Sequence, residues 1–305
     1  MIRALNIFIF FVLIFQNVVF AQQNKSQFQL HTKSYSYNVY NGSPQIFSIT
    51  QDKRGVMYFA NQLGVIAFDG HNWRTIDLFP ETEINAVACD NGGVIYAGGV
   101  EEFGYLHISD SGKVEFRSLK HLLIEEIDFK RIYNIKVTDK NEIIFQAHSC
   151  LFIYNGDSIS VIKAEDQNIF HESFIYNGDY YVFVKGVGLK RYIDGDLELY
   201  KLNKTFSDTY IFGFFDFNDE QFVVTNNEGI FKINSQTVDF VIKPDLSKLC
   251  HSINIDNNYI SVGSTGQGIY LINKDFEIEY ILDSENGMLD GVIKCQFLDN
   301  EGTYG

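Results

Sequence analysis

The sequence predicts an all-β protein built from one repeated unit of short antiparallel strands. A turn between two apolar runs recurs seven times between residues 45 and 305, at spacings of 38 to 49 residues. The turns are centred on Asp52, Asp90, Asp139, Asn177, Asn218, Asp256 and Asp299. A repeat of about 40 residues accommodates four short strands with tight turns, which is the size of one β-propeller blade. We therefore predict a seven-bladed β-propeller of four-stranded antiparallel blades.

The individual runs have the composition of strands. Tyr180–Val184 and Tyr259–Val262 consist mainly of aromatic and β-branched residues, and Asn, Asp or Gly residues bound them. Pairs such as Asn177-Gly178 supply the positive φ angles that two-residue hairpins need. Only 3 of the 305 residues are Pro, so few positions interrupt strand pairing.

One stretch, Ser118–Lys130, is predicted to be helical. It falls in the unit with the 49-residue spacing, and we interpret it as an insertion between blades two and three. Apolar stripes of period 3.6 are absent elsewhere, which argues against a solenoid of helix pairs.

The seventh unit is predicted to form an incomplete blade. It contains only Gly291–Asp299 and a turn at Asn300–Gly302 before the last residue, Gly305. The alternating stretch Tyr35–Tyr40 is predicted to pair as the outer strand of this blade and to close the ring. Because exposed sheet edges are unfavourable, we expect this chain to be the front part of a longer protein.

Residues 1–21 are predicted to be a secretory signal peptide that is cleaved after Ala21. Arg3 places a positive charge near the N-terminus, and Ile7–Phe15 is an apolar stretch. An uncleaved anchor is the alternative, but this stretch is short for a membrane span. We therefore expect a signal peptide at 1–21, a linker at 22–34 and a propeller domain at 35–305 on the periplasmic side of the cell envelope.

The net charge and the spacing of the cysteines indicate which partners and which cysteine chemistry to expect. Asp and Glu number 39 against 24 Lys and Arg, which gives a net charge of −15 and argues against nucleic acid as a partner. Four cysteines are spaced too widely for a metal motif, and we expect buried free thiols rather than a bridge. They are Cys89, Cys150, Cys250 and Cys295.

The first unit combines an Asp-x-x-Gly turn, an aromatic strand, a Gly-Val pair and an Asp-Gly turn. Its residues are Asp52, Gly55, Tyr58, Gly64, Val65, Phe68, Asp69, Gly70 and Trp73. In this pattern, residues 35–305 resemble the two-component regulator propeller family. The resemblance implies the exported sensor region of a membrane-spanning regulator. A sandwich domain, a membrane helix and a histidine-kinase or helix-turn-helix output would follow, so membrane attachment would come only through a C-terminal segment that these 305 residues lack.

The loops at one end of the ring carry the predicted binding residues. Turns between second and third strands, and connections between blades, open on the same face. Polar and aromatic residues there are Arg131, His148, His171, Lys185, Tyr210, Asn227, His251 and Gln267. We predict that they converge at the mouth of the central channel and contact a small-molecule or glycan-fragment ligand.

No catalytic residue, cofactor or metal site is predicted. The seven His residues show no metal-ligand spacing, and no Ser-His-Asp pattern or phosphate-binding loop is present. Two alternatives to a sensor stay open: a propeller enzyme acting on polysaccharide, and a non-catalytic protein-interaction propeller of the cell envelope. A homodimer is also left open.

Overall fold

A computed structural model describes residues 33–302 with short gaps. The gaps are residues 77, 79–81, 166, 167, 201, 203–208, 218, 227, 235–237, 243–249, 256–258, 286 and 290. The side chains of residues 242 and 250–255 are also not described. The predicted signal peptide at 1–21, and most of the predicted linker, therefore lie outside the described residues.

The described part of the chain forms six four-stranded sheets, and each sheet is a blade with its strands in chain order. Blade one contains β1 (Ile46–Gln51), β2 (Met57–Asn61), β3 (Gly64–Phe68) and β4 (Trp73–Ile76). Blade two contains β5 (Ile84–Cys89), β6 (Ile95–Gly99), β7 (Glu102–Ile108) and β8 (Val114–Ser118). Blade three contains β9 (Asn134–Val137), β10 (Ile143–Gln146), β11 (Cys150–Tyr154) and β12 (Ile159–Lys163).

The remaining three blades follow the same antiparallel arrangement. Blade four contains β13 (Phe170–Tyr176), β14 (Asp179–Val184), β15 (Gly188–Ile193) and β16 (Asp196–Leu199). Blade five contains β17 (Ile211–Phe217), β18 (Glu220–Thr225), β19 (Ile230–Ile233) and β20 (Val238–Ile242). Blade six contains β21 (Cys250–Ile255), β22 (Ile260–Ser264), β23 (Ile269–Ile272) and β24 (Ile278–Leu282).

The repeated Asp residue organises the turn between the first two strands of a blade. The Asp52 carboxylate accepts hydrogen bonds from the backbone N–H of Arg54 at 2.8 Å and of Val56 at 3.1 Å. The Tyr58 hydroxyl donates to the same carboxylate at 3.2 Å. Asp90 makes the corresponding contacts in blade two. The repeated Asp therefore satisfies the turn backbone from within the blade, and the Tyr hydroxyl holds the Asp carboxylate in place.

The hydrophobic core lies between the blades. Five clusters of buried side chains each join two consecutive blades. Ala60 of blade one packs with Ala97 of blade two, for example. The Phe103 ring of blade two stacks on the Phe152 ring of blade three, with centroids 4.7 Å apart. Burial of one blade's face on the next stabilises the ring.

The prediction of seven blades is wrong, because the described residues form six. Among the described residues, the seventh unit supplies one segment, Gly291–Gly302, which contains no named strand and cannot make a four-stranded sheet. The Ile293 N–H donates to the Ser264 carbonyl of blade six at 2.9 Å. The Asn300 N–H donates to the Gln51 side chain of blade one, also at 2.9 Å. This segment thus lies between blades six and one.

The prediction of a closing strand before blade one is also wrong. The stretch contains a one-turn helix, α1 (Tyr37–Tyr40), which ends at Asn41 in the left-handed conformation with φ of 52°. The rings of Tyr35 and Tyr40 lie 5.1 and 5.4 Å from the ring of Trp73 in β4. Packing of these rings on the outer strand of blade one competes with strand pairing and determines the local structure.

The insertion between blades two and three is confirmed, but most of its predicted helix is absent. A 3₁₀ helix spans Lys120–Leu122, and residues 123–130 are irregular. Leu119 and Phe129 are buried near its two ends, whereas Ile124 is almost fully exposed. Leu122, Leu123 and Ile127 pack against the core between blades two and three from this largely irregular segment, so its apolar residues are partly buried without a longer helix. Across the described ranges, no helix is both long and apolar enough to cross a membrane.

The three cysteines whose side chains are described are free thiols, as predicted, but only Cys150 is buried, and Cys89 and Cys295 are partly exposed. Cys150 is buried, and burial raises the pKa of its thiol to about 11. Burial likewise raises the pKa of Cys295 to about 12. These thiols are therefore protonated and unreactive near neutral pH.

Candidate functional site

The candidate site lies at the end of the ring where successive blades are joined. In the described sheets, five of the six inner strands have a register shift at their beginning. Such an irregularity changes the direction in which the side chains point there. His171 lies at this place in β13 and His251 at this place in β21, so both begin an inner strand as the spacing predicted.

Four rings from three consecutive blades form a row across this end of the channel. The Tyr133 ring, next to β9, stacks on His148 with centroids 3.8 Å apart. His148, between β10 and β11, lies 5.8 Å from His171. His171 lies 4.8 Å from Tyr210, which precedes β17. We call Tyr133, His148, His171 and Tyr210 the ring row. The structure thus brings together three of the predicted site residues.

A buried amide positions the two imidazoles relative to each other. The Gln146 side chain, only 1% exposed, donates a hydrogen bond to the backbone carbonyl of His171. The Tyr180 hydroxyl donates to the Gln146 side-chain oxygen at 3.0 Å. The Phe170 N–H donates to the His148 carbonyl at 2.9 Å. These bonds join blade three to blade four directly beside the ring row.

Both imidazoles are neutral near pH 7. Burial lowers the pKa of His148. Burial, followed by the charges of His148 and Lys185, lowers the pKa of His171. A neutral imidazole carries one donor nitrogen and one acceptor nitrogen. The Nε2 atom of His171 is buried and has no hydrogen-bond partner among the described residues, so it has unused capacity to bind.

Arg131 occupies a separate position at the boundary of blades two and three. Its guanidinium pairs with the Glu83 carboxylate at 3.0 Å. The Asn85 amide donates to the same carboxylate at 2.8 Å, while the Asn85 side-chain oxygen has no partner among the described residues. The charge of Arg131 is therefore largely committed to a protein carboxylate.

The other predicted residues differ in how closely they approach the ring row. Lys185 is exposed in the turn between β14 and β15, and its charge acts on His171. Gln267 accepts a hydrogen bond from Tyr270 at 2.7 Å within blade six, and no described contact joins it to the ring row. Asn227 lies outside the described residues, and the side chain of His251 is likewise not described.

The prediction from sequence missed Tyr133 and Gln146, as well as Glu83 and Asn85. A positional signal existed for Tyr133, because it directly precedes an inner strand as Tyr210 does. Gln146 ends a second strand in an otherwise apolar run, so the sequence offered only an isolated amide in a buried strand. Its role depends on contacts with blade four and has no local signature.

Opposite charges also lie on the inner strands of blades three and four. Burial lowers the pKa of Lys136 in β9, and the charge of Glu172 opposes this shift. Burial raises the pKa of Glu172 in β13, and the charge of Lys136 opposes that shift. The charge of each group acts on the other, and Lys185 is a cation whose charge acts on the His171 imidazole.

A cavity of about 730 Å³ lies beneath the insertion between blades two and three. Its lining includes the apolar residues Ile127 and Phe129 and several carboxylates. Glu125 pairs with Lys163 at 2.6 Å and Asp128 pairs with Lys130 at 2.9 Å, all with exposed side chains. These carboxylates therefore form a solvated surface.

Comparison with protein-family models and with curated protein sequences gives no match. Comparison with solved structures identifies β-propellers. One is the extracellular domain of the hybrid two component system BT4673 from B. thetaiotaomicron, with a TM-score of 0.64 at 16% identity. That match covers 85% of this chain and 36% of the other, so this chain spans about a third of that structure's length.

Lyases share the same fold. A streptogramin B lyase matches with a TM-score of 0.64 at 16% identity, covering 85% of this chain and 89% of the lyase. A virginiamycin B lyase from Staphylococcus aureus, described as catalytically inactive after a His-to-Ala substitution and bound to quinupristin, matches with a TM-score of 0.56 at 12% identity. That match covers 73% of this chain and 78% of the lyase.

These likenesses establish that the chain is a β-propeller protein. The sensor class that its repeats resemble is represented among the structural neighbours. Because lyases are also represented, the fold alone does not define the activity.

Proposed function

We propose that this chain is the exported, ligand-sensing input region of a membrane-spanning two-component-type regulator, and that its ligand binds at the ring row. The ring row carries this proposal, because four rings from three blades follow one another at the mouth of the channel, and the His171 ring has a buried nitrogen with no described partner. The sensor extracellular domain with the same fold and the apolar N-terminal sequence support the sensing role and the periplasmic location.

The chemistry of the ring row favours a small hydroxylated ligand such as a glycan fragment. Neutral imidazoles and phenol groups donate and accept hydrogen bonds, and their ring faces offer apolar surface. Tyr133 is 44% exposed and offers such a face at the entrance. Lys185 adds a positive charge next to His171, so a carboxylate on the ligand would be favoured despite the net charge of −15.

Binding at the ring row would bias the relative positions of blades three, four and five. A ligand changes a conformational equilibrium only by its difference in affinity between two states. The bond from Gln146 to the His171 carbonyl links the ring row to the packing between blades three and four. In the proposed regulator, an output module outside these 305 residues would respond to that bias, and a membrane segment would connect the two.

Thermal unfolding of the purified chain tests the proposal. Neutral and carboxylated glycan fragments are screened in buffer containing EDTA, because a ligand that binds only the folded ring raises Tm. We expect at least one fragment to raise Tm for the wild type. Tyr133→Ala and His171→Phe should remove the shift, whereas the control His71→Ala, an exposed residue of blade one, should keep it.

Each outcome of the screen bears on the proposal. Loss of the shift in the two ring-row variants, with the control unchanged, supports it. If no fragment stabilises the wild type, or if the ring-row variants respond as the wild type does, the ring row is not a glycan sensor. If a protein binds at this face instead, the alternative function as a non-catalytic protein-interaction propeller would be favoured.

A second candidate function is a propeller lyase with His171 as general base. The neutral imidazole favours it, because a general base must be unprotonated. A His-to-Ala substitution inactivates the virginiamycin B lyase that shares this fold. Release of unsaturated products from acidic polysaccharides, lost in His171→Phe, would support this candidate.

A further inference from the structure

The two imidazoles of the ring row come from different blades and different loop types. His148 lies between the second and third strands of blade three, and His171 begins the inner strand of blade four. They are 23 residues apart in sequence, a spacing that matches no local metal motif. Their ring centroids are nevertheless 5.8 Å apart, with the ring planes tilted by 48°.

This separation suits a shared metal ion. An imidazole nitrogen binds Zn²⁺ at about 2.0–2.1 Å, so two imidazoles on one ion have centroids roughly 5–6 Å apart. A water molecule that bridged the rings would give the Nε2 atom of His171 a partner, but a metal ion would satisfy the same lone pair directly. That nitrogen is buried and has no described hydrogen-bond partner.

We propose that His148 and His171 together bind a divalent transition-metal ion of the Zn²⁺, Ni²⁺ or Cu²⁺ class, which joins blades three and four at the mouth of the channel. Imidazole is a preferred ligand of these ions, whereas Mg²⁺ and Ca²⁺ prefer oxygen. This proposal does not depend on a glycan ligand.

The neighbouring side chains determine how tightly the metal ion would bind and how many of its coordination positions would stay free. Within the described part of the chain, no group of three or more His, Cys, Asp or Glu side chains is arranged to hold a metal. Water would therefore complete the coordination, and the ion would keep positions open at the mouth. Lys185 opposes cation binding by its charge.

Isothermal titration of the untagged chain with ZnCl₂, and separately with NiCl₂, measures the site without any glycan. We expect one saturable site per chain in the wild type. His148→Phe and His171→Phe keep a ring in the row but remove the ligating nitrogen, and each should weaken binding by about 100-fold or more. His71→Ala should bind as the wild type does, because His71 is exposed in blade one.

Lys185→Ala tests whether the Lys185 charge has opposite effects on metal binding and on glycan binding. Removing the nearby positive charge should tighten metal binding several-fold, whereas it should weaken binding of a carboxylated glycan. Circular dichroism of each variant checks that the propeller is folded. If the wild type shows no saturable site, or if both folded Phe variants bind the ion as tightly as the wild type does, the proposal is overturned. Because the glycan screen contains EDTA, either proposal can fail while the other stands.

Discussion

Gln146 of blade three donates a hydrogen bond to the backbone carbonyl of His171 in blade four. The same side chain accepts a bond from the Tyr180 hydroxyl at 3.0 Å, so one buried amide satisfies groups on the first two strands of the neighbouring blade, β13 and β14. An unmade bond at a buried polar group is costly, which makes this amide a structural link between two blades as well as a support for the ring row.

Replacement of this amide should weaken the boundary between blades three and four. Gln146→Ala leaves the Tyr180 hydroxyl and the His171 carbonyl without their partner, and we expect the free energy of unfolding to fall by about 2–4 kcal/mol. Urea denaturation measures the change. Gln62→Ala at an exposed position is the matched control and should change stability by less than about 0.5 kcal/mol. Equal effects of the two substitutions would contradict the link.

The core between blades two and three should depend strongly on Phe103. This ring is fully buried and lies 4.7 to 5.6 Å from the rings of Phe152, Phe145 and Phe129. Phe103→Ala should lower the free energy of unfolding by about 3–5 kcal/mol, because it leaves a cavity. Phe240, 57% exposed in β20, provides the control, and Phe240→Ala should cost about 1 kcal/mol or less. Similar costs at the two sites would show that this cluster is not a packed core.

The turn carboxylate Asp52 should contribute to stability against acid. Burial tends to raise the pKa of Asp52, but hydrogen bonds from the Arg54 side chain and from the backbone of Val56 and Arg54 outweigh it, and the net shift is downward. A carboxyl whose pKa is lower in the folded state stabilises the fold above the unfolded value of 3.8, and this stability is lost as pH falls through the folded pKa.

Urea denaturation at pH 7 and at pH 3 measures this contribution. At pH 7, Asp52→Ala should lower the free energy of unfolding by about 2–3 kcal/mol, because two backbone donors and one hydroxyl lose their acceptor. At pH 3, the difference from wild type should shrink. Asp110→Ala, at an exposed turn, should be neutral at both pH values. A difference that stays constant with pH would contradict the lowered pKa of Asp52.

The imidazoles should make stability depend on pH in a different range. The pKa of His171 in the folded state lies below the ordinary value of 6.5, so the unfolded chain takes up a proton first as pH falls. The contribution of His171 to the free energy of unfolding should therefore be fully present above pH 6.5. It should be lost as pH falls from 6.5 through the pKa of the folded state. Urea denaturation between pH 8 and pH 5, in buffer with EDTA, measures this decline. His171→Phe should make it shallower, and an unchanged slope would contradict a neutral, buried His171.

Much of the local structure could be predicted from the sequence. The Asp-x-x-Gly turns and the aromatic strands act within one blade, as the contacts of Asp52 with Val56 and Tyr58 show. The strand runs and the insertion between blades two and three followed from the same local patterns. The predicted helix at 118–130 and the strand at 35–40 were wrong, because packing on neighbouring side chains outweighed local propensity there.

The candidate site was only partly predictable. The positions of His148 and His171 at loops of one face followed from the repeat, since antiparallel strands in chain order place those loops together. Their separation, the stacking of Tyr133 and the bond from Gln146 depend on how one blade packs against the next. Sequence by itself determined the strands and the faces of the ring, because hydrophobic period and turn chemistry act over a few residues. Only the tertiary structure decided which side chains meet and how many complete blades form, because those contacts join residues tens of positions apart.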